Sequence, residues 1–297
     1  MKFDWNDLRF FLAVARTRRI TEAAIKLQVS QATVTRRIGA MEDALGTALF
    51  SRRNDGYVLT DSGKALVEPA EQAEAQLQWI ERNTAAATDA VQGTVRLQTP
   101  EILGQHLIMP RLAAFHMAHP DLAFEFIADV RSTRLSKGEA DILIRLVRPE
   151  NGDYTIRKLG EIALGLYCSA EYLARHDHTA ISRLHAGHRL IGWETELAYL
   201  PMARWLESRS GDALYSVRTH TMGSQLAAAK AGFGIAVLPA FIARKQGLMR
   251  VMDEHPPLVT DIWMLQQAAS HEFARVRAVA DYLGDMIASA QAELLSA

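Results

Sequence analysis

Residues 20–60 read ITEAAIKLQVSQATVTRRIGAMEDALGTALFSRRNDGYVLT, and no other stretch of the chain restricts the fold as tightly. A first helix is expected to open at Thr21, whose hydroxyl can cap free backbone amides, and to pack inward through Ala23, Ala24 and Leu27. Small alanines allow a second helix to approach closely. Val29 fills the corner and Ser30 is placed to cap that second helix, where Val34, Ile38, Met41 and Leu45 follow spacings of four, three and four and predict one buried stripe. At about 100° per residue, Ala32 and Arg36 fall at the centre of the opposite face, with Thr33 on one shoulder and Gln31, Thr35 and Arg37 flanking. Such a face suits a DNA groove. Arginine can pair with guanine O6 and N7, glutamine with adenine, and the methyls of alanine and threonine with thymine, while a second arginine suits phosphate.

A helix pair alone also occurs on many enzymes, with arginines that only solvate the surface. The continuation narrows the choice. After Leu49 and Phe50, expected as core anchors, come Arg52 and Arg53, an Asn54-Asp55-Gly56 turn and the strand Tyr57-Val58-Leu59, which together predict a basic hairpin, the wing of a winged helix. Charge follows the same division. Residues 1–60 hold ten Lys or Arg against six Asp or Glu, a net of +4, whereas the other 237 residues hold 23 against 28, a net of −5. The total of −1 therefore hides a basic head on an acidic body, and polyanion binding is expected at the head alone.

Several separated motifs now occur in order: Ile20 through Ser30-Gln31, Met41-Glu42, Leu45-Gly46, Leu49-Phe50-Ser51-Arg52 and Leu59-Thr60-Asp61-Ser62-Gly63. Together they resemble the amino-terminal signature of LysR-type transcriptional regulators. The resemblance implies that Gln31, Ala32, Thr33, Thr35 and Arg36 lie on the recognition helix and that Arg52 and Arg53 lie on the wing. Ala32-Thr33 stands where prolines are often found, and Thr35 where serine is commoner; both departures bear on which DNA sequence is read.

A chain of 297 residues with 49% apolar and 23% charged content describes an ordinary globular protein of two or three domains. The start MKFDWNDLRFFLAVARTRR lacks a long uncharged apolar run, and no later segment approaches the roughly 18 apolar residues that span a membrane, so a cytoplasmic protein with no membrane partner is expected. The single cysteine, Cys168, excludes an internal disulfide and a cysteine-based metal cluster, and its apolar neighbours Ile162 to Tyr167 predict a buried, inert thiol.

Residues 61 to about 90 are expected to form one helix. Its apolar positions Leu66, Ala70, Ala73, Leu77 and Ile80 follow a heptad pattern that asks for a partner helix, and the expectation is a dimer coil rather than packing on its own domain. A dimer, or a dimer of dimers, would read an inverted repeat. Pro69 removes one backbone donor and predicts a local kink.

From Gly93 the pattern alternates. Strands are expected at Thr94–Thr99, Ala123–Ala128, Asp141–Leu146, Ile162–Cys168, Arg189–Gly192, Tyr215–His220, Ile235–Leu238 and again from about Met264. Helices are expected at Ile102–His119 with Pro110 inside, Ser224–Ala231, after Pro239, and at Phe273–Leu295. Alternation of this kind predicts mostly parallel sheets covered on both faces, here in two sets with crossings near 163–168 and 262–267. The family resemblance implies the same, a two-lobed effector domain similar to periplasmic solute-binding proteins. The stretches Gly138–Arg145 and Ala231–Pro239 look like recurring body motifs of that family. Gly232 and Gly234 lack the third glycine of a phosphate loop and precede a strand, so they predict a tight turn. The fold class is therefore mixed: an α-helical winged helix-turn-helix head at 1–60, a long linker helix at 61–90 and an α/β two-lobed periplasmic-binding-protein-like effector domain at 91–297. Lobe I takes about 91–163 and 267–297, and lobe II about 164–266.

Ligands of open α/β sheets bind at the carboxyl ends of the strands, where helices begin. The junctions here are Thr99-Pro100-Glu101, Arg145 and Thr221-Met222, and a small molecule is expected between them. Arg145 and the helix ends favour a carboxylate effector, Glu101 opposes one, and an Arg145 to Glu101 ion pair without ligand contact stays open. His176 with His178, and His185 with His188, are close enough to suggest metal, but no carboxylate or cysteine completes a site. No Gly-x-Ser-x-Gly elbow, His-Glu-x-x-His pair or full phosphate loop occurs, so neither catalysis nor a cofactor is expected. An enzyme or small-molecule-binding protein with an appended helical domain is the alternative; it would need a nucleophile and base that the sequence does not offer.

Overall fold

The computed structural model describes residues 4–53, 56–84, 90–128, 140–148, 154–176, 184, 187–252 and 254–296. These form two compact units divided after residue 85.

The first unit is built from α1 (Asp7–Thr17), α2 (Ile20–Leu27), α3 (Gln31–Leu45), the hairpin strands β1 (Phe50–Arg53) and β2 (Gly56–Leu59), and the long α4 (Asp61–Thr84). α1 supplies the largest share of the core, burying Leu8 and Phe10 through Val14 against Ala23, Ala24, Val34, Ile38, Met41, Leu49 and Phe50. Two expectations are corrected here. Thr21 does not cap α2: the helix begins at Ile20, which packs on the core, and Arg19 is the cap residue without a side-chain bond. Leu45 is not part of the buried stripe; it is 40% exposed, because α3 ends at Gly46 in a left-handed turn and the chain returns Leu49 and Phe50 to the core instead.

The linker helix contains Pro69, as expected, but its apolar seam divides. Leu66, Ala70 and Ala73 pack on the core of the head, and Arg16 of α1 holds the same helix by ion pairs to Glu71 at 3.2 Å and Glu74 at 2.7 Å. Leu77 and Ile80, one turn further on, are half exposed. The first half of the seam thus serves its own domain, contrary to the expectation of a seam given wholly to a partner. Of the 61–90 span, 85–89 lie outside the described residues.

The second unit runs through β3 (Gly93–Thr99), α5 (Glu101–Leu103), a wide π turn (Gly104–Ile108), α6 (Met109–Ala118), β4 (Leu122–Ala128), β5 (Ile142–Arg145), β6 (Tyr154–Cys168), α7 (Ala170–Arg175), β7 (Arg189–Trp193), a short 3-10 turn (Thr195–Leu197) and α8 (Pro201–Glu207). It continues with β8 (Leu214–Thr219), α9 (Met222–Lys230), β9 (Ile235–Pro239), α10 (Ala240–Lys245), β10 (Met249–Val251), β11 (Leu258–Gln267), a second 3-10 turn (Ala268–Glu272), α11 (Ala274–Ser289) and α12 (Gln291–Leu295). The π turn resolves the problem set by Pro110, which has no amide to donate: the chain widens before it, and α6 starts with the proline in its first turn. At the other end the expected single helix breaks at Ala290 into α11 and α12.

Strand order is β4-β3-β5-β11-β6-β9-β7-β8, with β10 also on β6. β3 pairs in parallel with β4 and β5, and β7 in parallel with β8 and β9, giving two parallel sets. The two long antiparallel strands β6 and β11 join them. Trp263–Gln266 of β11 bind β5 in lobe I, whereas Leu164–Tyr167 of β6 bind β9 in lobe II. The crossing therefore lies at about 159–163 and 258–262, earlier in each strand than the sequence pattern predicts, and a register shift between Ile262 and Trp263 marks it. Cys168 is fully buried at the end of β6, as expected.

Candidate nucleic-acid interface and effector cleft

Ser30 caps α3, its hydroxyl accepting the amide of Thr33 at 3.1 Å, and so fixes the start of this helix. Val34, Ile38 and Met41 hold the inner face, leaving Gln31, Ala32, Thr35 and Arg36 exposed and Thr33 half-buried. Arg36 makes no ion pair or hydrogen bond among the described residues. Arg37 differs. Its guanidinium donates to Asp4 at 2.9 Å and to buried Asp7 at 3.1 Å and lies over the Phe10 ring, and the hydrogen bond to Asp4 raises its pKa. Sequence spacing placed Arg37 on the flank of the exposed face; the structure turns its charge toward the head's own carboxylates. With Arg16 held by Glu71 and Glu74 and Arg19 by Glu22, the head cations left for a polyanion among the described residues are Arg36, the two wing arginines, and exposed Arg9, Arg18 and Lys26.

The wing is seated by backbone. Glu42 accepts the amides of Leu49 at 2.7 Å and Phe50 at 3.1 Å, and Tyr57 donates to the carbonyl of Arg18 at 2.8 Å. Thr60 caps α4 through the amide of Gly63 while its own hydroxyl donates to the carbonyl of Ala48. Gly63 lies so close to the carbonyl of Leu49 that no side chain fits there, which accounts for the Leu59-Thr60-Asp61-Ser62-Gly63 motif in physical terms. Arg52 rests over the Tyr57 ring at 5.5 Å and Arg53 is exposed; Asn54 and Asp55 of the expected turn lie outside the described residues.

In the second unit two of the expected junctions, before α5 and before α9, lie side by side. Thr99 is buried at the end of β3, Pro100 precedes α5, and Glu101 opens it. Thr221 caps α9 by accepting the amide of Ser224 at 3.1 Å, and Met222 is buried behind it. Arg145 ends β5, half-buried and opposite Trp263 of β11. α5 and α9 touch, and there the structure adds what the sequence did not show: a Cβ on Gly223 would stand 2.7 Å from Glu101 Oε2. The first turn of α9, which was expected to face an anion, faces the protein's own carboxylate. Glu101 accepts from Gln105 at 3.3 Å and forms no ion pair among the described residues, so the open alternative of an Arg145 to Glu101 pair does not form. Gln225 on the same helix is fully buried with neither amide atom hydrogen-bonded among the described residues, and Trp193 Nε1 at the end of β7 is likewise buried without a partner. Neither residue carried a motif; a glutamine on the apolar side of a helix was the one available signal.

Among the described residues no group of His, Cys, Asp or Glu could hold a metal, and no helix is long and apolar enough to cross a membrane. His178 and His185 lie outside the described residues; His176 instead stacks on Tyr172 with ring centroids 4.4 Å apart.

A winged helix-turn-helix with an exposed basic face, carried with a two-lobed α/β domain, defines a ligand-responsive DNA-binding regulator. The family model of the bacterial regulatory helix-turn-helix protein, lysR family, matches residues 5–64, and that of the LysR substrate binding domain matches residues 88–288. The chain belongs to the LysR family of transcriptional regulators. The Mau operon transcriptional activator of Paracoccus denitrificans is 26% identical over 292 residues, covering 96% of this chain and 97% of its own. The HTH-type transcriptional regulator PgrR of Escherichia coli is 26% identical over 269 residues, 84% of this chain and 87% of its own. Among solved structures, the LysR family regulator CbnR aligns with TM-score 0.69 at 16% identity, covering 96% of this chain and 99% of that one. Full-length AphB of Vibrio cholerae aligns at 0.58 and 22%, covering 95% and 98%. The chain is a DNA-binding transcriptional regulator with an effector-binding domain, and its curated relatives are regulators rather than enzymes.

Proposed function

We propose that α3 enters the major groove with Gln31, Ala32, Thr33, Thr35 and Arg36 toward base edges, while Arg52 and Arg53 of the wing meet the flanking phosphates. Arg37 sets the angle of α3 from behind, through Asp4 and Asp7. The observation that carries this reading is the sorting of α3 itself: Val34, Ile38 and Met41 are buried, and the residues able to read bases are exposed around an unpaired Arg36. The head spans 1–60, the linker helix 61–90 and the effector domain 91–297. Leu77 and Ile80 pair with a second copy, and the resulting cytoplasmic dimer, or dimer of dimers, reads an inverted repeat.

The effector is a small molecule held among Thr99, Pro100, Glu101, Arg145, Thr221 and Met222. A carboxylate on it belongs at Arg145, since Glu101 already covers the first turn of α9. Its differential affinity for the lobe arrangements shifts the population of DNA-bound states. The test is a mobility-shift series in salt with DNA from beside the protein's own gene: sequence preference that vanishes in Arg36→Ala supports the reading, and no preference over random DNA with or without a metabolite pool rejects it.

A further inference from the structure

The short carboxyl-terminal helix α12 is bound to both lobes at the place where they join. At the crossing, β6 has β11 along one edge, but on its other edge β9 begins only at Leu164. Gln291 fills the gap just before it: its Oε1 accepts the amide of Glu161 at 3.0 Å and its Nε2 donates to the carbonyl of Glu161 at 3.0 Å. One side-chain amide thus replaces a neighbouring strand at the hinge. Gly160 makes the approach possible, because a Cβ there would collide with Gln291 Oε1 and meet Ile287 at 3.1 Å.

Two residues on, Glu293 bridges the lobes by charge. It accepts from Arg111 of α6 in lobe I at 2.6 Å and from Lys245 of α10 in lobe II at 2.5 Å. Arg244 adds bonds to the carbonyl and hydroxyl of Ser296, and Leu294 is fully buried beneath the turn. The break at Ala290 is what turns these side chains across the hinge; a continuous α11 would carry them past it.

We infer that α12 is a strap, in which Gln291 and Glu293 are positioning residues that hold the two lobes at one angle. Rotation of one lobe against the other separates Arg111 from Lys245, so it must break half of the Glu293 bridge or shear the Gln291 amide from β6. The strap therefore limits how far the lobes move when a ligand enters. That regulatory consequence rests on the effector cleft proposed above; the mechanical claim does not.

The experiment measures the distance between spin labels at Met117→Cys in α6 and Phe233→Cys in the loop before β9, both exposed, in full-length chain diluted with excess unlabelled protein and without ligand. Buried Cys168 leaves the labelling selective. The wild type is expected to give one narrow distribution. Gln291→Ala and Glu293→Gln are each expected to broaden it and shift its mean, and high salt is expected to move the wild type toward Glu293→Gln only. If Gln291→Ala fails to fold, Glu293→Gln carries the test alone. An unchanged distribution in folded Glu293→Gln, even with a lower melting temperature, overturns the strap and leaves local packing. Failure of the cleft reading is seen separately, as a normal strap response in a protein whose distribution no metabolite pool alters.

Discussion

The carboxylate of Glu101 lies over Gly223, joining the helix that follows the first strand of lobe I to the first turn of α9 in lobe II. The helix start gains from a negative charge at its end, and the missing side chain at 223 lets that charge approach. Gly223→Ala puts a methyl group against the end of a side chain rather than against backbone, so Glu101 turns away. Alanine also favours the helix by up to about 1 kcal/mol. The variant is expected to melt at or above the wild-type temperature while its response to effector changes. Thermal unfolding beside a promoter-reporter titration checks this, and a clear loss of stability would contradict it.

Arg36 and Arg37 are adjacent in sequence and opposite in role. Arg36→Ala removes an exposed, unpaired guanidinium and is expected to leave folding intact while costing about 1–3 kcal/mol of discrimination at one base position. Arg37→Ala strands buried Asp7 without its cation, so the head is expected to melt at lower temperature, and DNA affinity falls for all sequences alike. Circular dichroism melts of both variants, with mobility shifts on specific and random duplexes, separate the two effects.

Local patterns carried the parts of the fold whose cause is local. Ser30 before an apolar stripe, the pair Leu49-Phe50, and the uninterrupted buried run Ile235–Pro239 each announced their element. The first half of β6 did not, because Thr155, Arg157, Lys158 and Glu161 read as solvated loop; that strand is held by its ladder to β11 and not by burial of side chains. The exposed side of α3 was likewise legible from helical spacing, yet the diversion of Arg37 to Asp4 and Asp7 depends on partners about thirty residues upstream. The end of β3 and the start of α9 were readable from local pattern, but the approach of Glu101 to Gly223 is made by tertiary packing between lobes and leaves no trace in either local sequence.

Gly63 tests whether the motif after the wing is structural. A Cβ at this position meets the carbonyl of Leu49, a backbone atom that also accepts the amide of Thr60, and lies 2.9 Å from the Leu59 side chain. The carbonyl cannot move without unseating the hairpin. Gly63→Ala is expected to cost about 1–3 kcal/mol despite alanine's better helix propensity, and to weaken DNA binding through a displaced wing. Denaturant titration of the full chain gives the stability change, and a neutral result would mean that the start of α4 shifts freely.

Cys168 provides a titration whose sign is fixed by burial alone. Its thiol is pushed up from 9.0 to about 12 because no water reaches the thiolate at the end of β6. The difference of about three pH units leaves roughly a thousandth of the usual thiolate at pH 8, before any steric protection is counted. A thiol reagent at that pH is therefore expected to label Cys168 only on unfolding, with a rate that follows denaturant. A raised folded value also means that the contribution to stability is fully present below pH 9 and is lost as pH climbs through the folded value, so the loss falls on the alkaline side and none appears in acid. Cys168→Ala should flatten that alkaline decline relative to wild type; an equal decline in both proteins would assign it to other groups.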